Sequence, residues 1–231
     1  VSREDSRHPV ILVCEHASSY IPEPLKALGL SPEAAKEHIA WDIGALKLAE
    51  RLSQALGATL IAAAYSRLLN DLNRPLEAPD SIPSRSEIYD VPGNRALHGH
   101  IRKYRQQTLF TPFHQRLDEL IDARLAEGRE VRIVAVHSFT PVYHGQPRSL
   151  EVGVRYDRAA AYAQGLLNGL AAHGLNVAAN QPYEIDVLGD MTVPFHGDRR
   201  GIDAVLLEVR NDLLRTPEAL ESWTDYLAPL L

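Results

Sequence analysis

Two histidines stand at the ends of predicted strands, far apart in the sequence. His16 and His137 each close an apolar run that is typical of a buried strand. In an open, mostly parallel sheet, ligands bind beyond the carboxyl ends of the strands, so the two imidazoles can meet around one ion. A third apolar run, residues 204–209, contains one carboxylate, Glu208, which is costly to bury without a partner or a task. Two bases and an acid at strand ends predict a metal-dependent hydrolase.

The third metal ligand must come from another acid, since a catalytic zinc commonly has three protein ligands and one open position. Asp42 is the preferred residue because it follows Trp41 and directly precedes an amphipathic helix, although an aspartate there can also be a simple N-cap. Glu15 is the alternative, but alternation along a strand sends it and His16 to opposite faces. Glu208 is then the candidate general base, and an ion pair with an arginine is its alternative role.

Polar residues in the predicted loops are candidates for binding a substrate. A guanidinium binds a carboxylate through two parallel hydrogen bonds, so several arginines at one mouth favour a small dicarboxylate or an N-acyl amino acid. An asparagine and a histidine in the same loops can contact an amide or accept a hydrogen bond. The candidate substrate-binding residues are Arg67, Asn73, Arg74, Arg148, His196 and Arg210.

The composition limits the class of protein. A chain of 231 residues with 45% hydrophobic content predicts one globular domain over residues 1–231. The net charge of -6 provides no basic field for nucleic acid, and the expected partner is a small anionic substrate. A single cysteine, Cys14, indicates a reducing compartment, the cytoplasm. No apolar stretch approaches the roughly 18 residues of a membrane span, so no membrane partner is expected.

Strands that alternate with helices predict an α/β fold, a three-layer αβα sandwich with a mostly parallel or mixed central sheet. Region 65–99 has four prolines and no sustained period, and we expect it to cover the site. The predicted strands are residues 9–16, 58–64, 131–137, 150–156, 175–179 and 204–209. The predicted helices begin at Pro32 and Pro217 or span 42–57, 158–173 and 100–127, the last broken near Thr111 and Pro112.

Seven ordered blocks of this sequence resemble the N-formylglutamate amidohydrolase family, which looks like a branch of the zinc carboxypeptidase-like hydrolases. The blocks are spread over most of the chain, and together they are far more specific than any one of them. They are Val13–Ser18, His38–Ala45, Tyr65–Pro75, Pro92–Asn94, His137–Pro141, Asn180–Tyr183 and Leu207–Asp212.

The resemblance implies zinc or another divalent metal held by His16, Asp42 and His137, with Glu208 as the catalytic residue. It also implies hydrolysis of N-formyl-L-glutamate to formate and L-glutamate in histidine degradation. The block around His16 reads Cys-Glu-His-Ala-Ser, whereas family members from histidine-degradation pathways commonly carry a Pro-His-Ser-Gly-like block. The alternatives are a zinc amidase for another N-acyl amino acid or a peptidoglycan-type amide, and a non-catalytic carboxylate-binding protein.

Overall fold

The computed structural model describes residues 1–186 and 188–231. Its strands and α-helices alternate along the chain, as the sequence predicts. The strands are β1 (Val10–Cys14), β2 (Thr59–Ala62), β3 (Arg85–Ser86), β4 (Tyr89–Asp90), β5 (Arg132–Phe139), β6 (Val142–Tyr143), β7 (Gln146–Pro147), β8 (Val152–Arg155), β9 (Val177–Ala179) and β10 (Asp203–Arg210). The α-helices are α1 (Ala45–Leu56), α2 (Gly99–Arg105), α3 (Thr111–Ala126), α4 (Ala160–Ala172) and α5 (Pro217–Leu227).

Six strands form one mixed sheet in the order β2-β1-β5-β10-β8-β9. The first four in this order are parallel, β8 runs antiparallel to β10, and β9 runs parallel to β8. Each of the six predicted strands overlaps one of these strands, so the prediction of a mostly parallel or mixed sheet is confirmed. The central strands read as continuous apolar runs because both faces of the sheet are covered by other elements.

Helices pack on the sheet to give the predicted three-layer sandwich. Helix α5 contacts both α1 and α4, and α1 lies against β1 and β5. Helix α3 contributes Phe113, Leu117 and Ile121 to the same hydrophobic core. Among the described residues, no helix has the length and apolar character needed to cross a membrane.

Two predicted helices differ from the observed ones. The helix expected from Pro32 is only a 3-10 turn, Ala34–Lys36, because the backbone becomes extended at Glu37 on its way to the site. Region 100–127 is helical throughout, but residues 106–110 form a π-helical turn between α2 and α3. The predicted break is therefore a local change of hydrogen bonding beside Pro112, which has no N–H to donate.

Gly153 in β8 is required by a close approach of the backbone. A Cβ atom added at this position would lie 1.7 Å from the carbonyl oxygen of Gln181. We expect Gly153→Ala to reduce the free energy of unfolding by about 1–3 kcal/mol, since the backbone must shift. The control is Gly165→Ala in α4, where nothing lies within 4 Å of the added atom and a gain of about 0.5–1 kcal/mol is expected. Denaturant unfolding of both variants measures the difference, and equal stabilities would contradict the prediction.

Candidate functional site

His16, Asp42 and His137 lie together at the carboxyl edge of the parallel strands. One ligand atom from each residue lies within 4.8 Å of the others, and all three residues are buried. Asp42 Oδ2 is 2.9 Å from His137 Nδ1 and 3.4 Å from His16 Nδ1. His16 Nδ1 is buried and has no hydrogen-bond partner among the described residues. The three side chains therefore present two imidazole nitrogens and a carboxylate to one point.

The segment before α1 carries Asp42 to this point. The backbone N–H of Asp42 donates to the carbonyl of His16 (2.9 Å), and this hydrogen bond holds the segment against the end of β1. Gly44, in the left-handed region at φ 86°, is the N-cap of α1, and no side chain caps the helix. The alternative role of Asp42 as an N-cap is therefore wrong, and its carboxylate is free to face the two histidines.

Each of the two histidines also contacts a carboxylate with its other ring nitrogen. His16 Nε2 lies 2.8 Å from Asp71 Oδ1, and His137 Nε2 lies 2.9 Å from Glu15 Oε2. Because a carboxylate accepts hydrogen bonds, this geometry places the proton on Nε2 and leaves the Nδ1 lone pair for an ion. Glu15 thus contacts Nε2 of His137, whereas Asp42 lies against Nδ1 of the same ring. Thr192 donates its hydroxyl to the other Glu15 oxygen. The expected separation of Glu15 and His16 does not exclude Glu15 from the site, because β1 has already ended at Cys14.

The electrostatics of this cluster favour a positive charge. Burial raises the pKa of Glu15, but the His137 charge and the hydrogen bonds from His137 and Thr192 outweigh it and lower that pKa to about 2. Burial likewise opposes ionisation of Asp42, yet His16 and His137 hold its pKa well below the usual range. Burial lowers the pKa of His137, but Glu15 and Asp42 raise it well above the usual range. The carboxylates therefore remain ionised and require a cation or a proton between them.

Glu208 lies beside His137 because the two are register partners on β10 and β5. Arg155 Nη1 is 3.3 Å from Glu208 Oε1, and Arg155 Nη2 is 3.0 Å from Asp190 Oδ2. Burial raises the pKa of Glu208, against the charges of His137 and Arg155. The sequence prediction missed Arg155, although a charged residue within the predicted strand 150–156 was the same kind of signal that identified Glu208.

A cavity of about 580 Å³ joins these groups to solvent. Three of the six predicted substrate-binding residues, Arg67, Asn73 and Arg74, line it beside the three clustered residues and Glu208. Region 65–99 supplies these and further lining residues, including Ser86 and Glu87, in agreement with the prediction that it covers the site.

The other three predicted substrate-binding residues do not line the cavity, and each has a structural partner. Arg210 pairs with Asp212 (2.8 Å) and donates to backbone carbonyls of residues 148–150. His196 is fully buried between His114 and Asp118. Arg148 packs on the rings of Tyr143 and Tyr183, 4.5 and 5.2 Å from their centres. These placements correct the sequence prediction, because in each case nearer acids, carbonyls or aromatic rings bind the side chain.

The arginines that do line the cavity are already paired with acids. Arg67 contacts Asp71 (2.6 Å), and Arg74 contacts Asp190 (2.6 Å) and Asp80 (3.1 Å). The sequence predicts several arginines at one mouth, and Arg67, Arg74 and Arg155 do line the cavity, but acids of the protein already bind their guanidiniums. The Asn73 side chain is also bound within the protein. Its oxygen accepts hydrogen bonds from the backbone N–H groups of residues 191 and 192, and its nitrogen donates to Asp190.

The mixed three-layer sheet with two histidines and acids at its carboxyl edge defines an α/β protein with a candidate hydrolytic metal centre. The family model described as N-formylglutamate amidohydrolase matches residues 8–215, and the chain belongs to this family. Membership makes the protein an amidohydrolase, and the resemblance given by the seven sequence blocks is confirmed.

Two solved structures share the fold. The gene product Atu2144 from Agrobacterium tumefaciens is 41% identical, with a TM-score of 0.95 over 99% of this chain and 91% of that one. An N-formylglutamate amidohydrolase from Ralstonia eutropha JMP134 is 19% identical, with a TM-score of 0.71 over 96% of this chain and 90% of that one. The second likeness shows the fold alone. No curated protein matches the chain.

Proposed function

We propose that this protein hydrolyses the amide bond of an N-acyl amino acid in a metal-dependent reaction. N-formyl-L-glutamate, cleaved to formate and L-glutamate, is the reference substrate, and histidine degradation in the cytoplasm would be the setting of that reaction. The observation that supports the proposal is the convergence of His16, Asp42 and His137 next to a buried Glu208.

The residues fit a divalent cation. Two imidazole nitrogens and one carboxylate are a common ligand set of catalytic zinc, and the buried His16 Nδ1 has no other partner among the described residues. Five buried carboxylates lie in and around the cluster, and three guanidiniums contact them, which leaves an excess of negative charge. The carboxylates are Glu15, Asp42, Asp71, Asp190 and Glu208, and the guanidiniums are Arg67, Arg74 and Arg155. A divalent ion held by His16, Asp42 and His137 would polarise an amide carbonyl and activate water.

The chain's own residues supply the proton transfer. The Glu208 carboxylate is suited to accept a proton from the attacking water and to deliver it to the leaving nitrogen. Its raised pKa, caused by burial, makes it a better base than an exposed glutamate. Arg155 positions this carboxylate and favours its ionised form. Asp71 and Glu15 orient the two imidazoles.

The pH profile tests the role of Arg155. Arg155→Gln removes a positive charge 3.3 Å from Glu208, so the pKa of Glu208 rises further. Glu208 must be ionised to act as a base, and a raised pKa therefore moves the acidic limb of kcat/KM to higher pH. The control is Arg158→Gln, at an exposed arginine paired with Asp157 outside the cavity, for which the limb stays in place. An unchanged limb in Arg155→Gln would contradict this role.

Formate release from N-formyl-L-glutamate tests the proposed function. We expect turnover by the zinc-loaded protein, loss of turnover after chelation, and recovery when zinc is returned. Activity that persists through complete chelation would exclude metal dependence. Tight binding of N-acyl amino acids without hydrolysis would instead identify a carboxylate-binding protein.

Hydrolysis of another N-acyl amino acid is the second candidate function. The observation that favours it is the pairing of Arg67, Arg74 and Arg155 with acids of the protein itself. The two carboxylates of N-formyl-L-glutamate would have to compete with those acids for the guanidiniums, whereas a substrate with one carboxylate needs only one of them.

A further inference from the structure

The cavity lining carries more acids than arginines. Three carboxylates lie at its inner end, on Asp42, Asp190 and Glu208, and these are buried. Four more line its outer part, on Asp80, Glu87, Glu184 and Asp186. The guanidiniums of the lining are those of Arg67, Arg74 and Arg155. A divalent ion at the inner end would reduce this excess of negative charge without reversing it.

Arg74 is the guanidinium best placed to receive a substrate carboxylate. Its Nη1 donates to Asp190 and to the carbonyls of Asn73 and Gly189, and these bonds fix the plane of the group. Its Nε contacts Asp80 at 3.1 Å, and the Asp80 side chain is 60% exposed. An exposed carboxylate is weakly held, so a substrate carboxylate can displace Asp80 from Arg74. Arg67 and Arg155 offer no comparable exchange, because each pairs with a buried acid.

We propose that the cavity selects N-acyl amino acids with a neutral or cationic side chain over dicarboxylates. This inference rests on the proposed function and specifies its substrate. The α-carboxylate replaces Asp80 on Arg74, and the side chain then lies among the outer acids Glu87, Glu184 and Asp186. A second carboxylate meets guanidiniums that are already paired and a field of its own sign, which lowers its rate of binding.

The test compares N-formyl-L-glutamine with N-formyl-L-glutamate, because the two differ in charge and hardly in shape. At low ionic strength we expect kcat/KM for the glutamine compound to exceed that for the glutamate compound about tenfold. Added salt screens the repulsion, so the ratio falls towards unity as the ionic strength rises. N-formyl-L-lysine, formylated on its α-amino group, has a side chain of the opposite charge, so salt screens the attraction of that side chain to the outer acids and lowers its kcat/KM relative to the glutamine compound. A higher kcat/KM for the glutamate compound, decreasing with salt, would overturn the inference.

The charge of the outer cavity is tested by Asp80→Asn. This change removes one negative charge and leaves the Nε of Arg74 free, so kcat/KM for the glutamate compound rises several-fold relative to the glutamine compound. The control is Glu221→Gln on α5, an exposed acid outside the cavity whose loss changes the net charge equally and leaves the ratio unchanged. Equal ratios in Asp80→Asn and in the wild type would count against the inference.

Calorimetric binding separates this inference from the proposed function. If zinc-loaded protein cleaves none of the three N-formyl compounds, the proposed function fails. The zinc-loaded Glu208→Gln variant still ranks their affinities without turnover. Tighter binding of the glutamine or lysine compound than of the glutamate compound supports the inference. Tighter binding of the glutamate compound, or no binding of any of the three, overturns it.

Discussion

Replacing Glu208 with glutamine lowers kcat/KM by about 10²–10⁴-fold while zinc remains bound. The amide has nearly the shape of the carboxylate but cannot accept the proton of water. Glu208 is not one of the three residues whose ligand atoms converge, so the variant keeps the proposed metal ligands. Because general-base catalysis acts in the transition state, we expect kcat and kcat/KM to fall by similar factors. Steady-state kinetics with the best N-formyl substrate, together with metal analysis of the same sample, measure both quantities.

The matched control is Glu221→Gln, which makes the same chemical change on the exposed face of α5. It retains full activity and full zinc content. A Glu208→Gln protein with wild-type kcat/KM would remove Glu208 from the reaction. A Glu208→Gln protein that loses its zinc would place the residue among the ligands.

The positions of His16, His137 and Glu208 could be predicted because each interrupts or closes an apolar strand. A buried strand has few polar residues, so an imidazole or carboxylate at its end is a strong local signal. Asp42 was predictable for a related reason, since it lies in the connection that follows the first strand. Parallel strands bring such connections to one edge of the sheet, whatever the order of the strands.

The carboxylate partners were not predictable because they depend on strand order and on contacts between distant segments. Arg74 pairs with Asp190, 116 positions away, and Arg155 reaches Glu208 because β8 runs antiparallel beside β10. The sequence around a loop arginine does not indicate whether its guanidinium forms an ion pair with an acid of the same protein. This is why the sequence predicted an anion-binding mouth and the structure shows internal ion pairs.

Replacing His137 with alanine abolishes stoichiometric zinc binding and, with it, turnover. The variant loses one of two imidazole ligands and leaves the Glu15 and Asp42 carboxylates without the group between them. Asp71→Asn is the intermediate case, because an amide holds His16 Nε2 less firmly than a carboxylate, and we expect zinc affinity to fall about 10–100-fold. The matched control is His100→Ala at an exposed histidine in α2, which binds zinc as the wild type does.

Thermal unfolding with and without zinc distinguishes loss of the site from loss of the fold. An ion that binds the native state raises Tm by an amount that grows with the logarithm of its affinity. Zinc therefore raises Tm strongly for the wild type and His100→Ala, and less for Asp71→Asn. His137→Ala unfolds cooperatively at a Tm that zinc does not change. In the three variants the altered group would bind the ion directly, hold one of its ligands, or lie away from it. The order of the zinc-induced Tm shifts among the four proteins therefore reports on coordination of the ion. Zinc stabilisation of His137→Ala equal to that of the wild type would show that the ion binds elsewhere, and the proposed centre would be wrong.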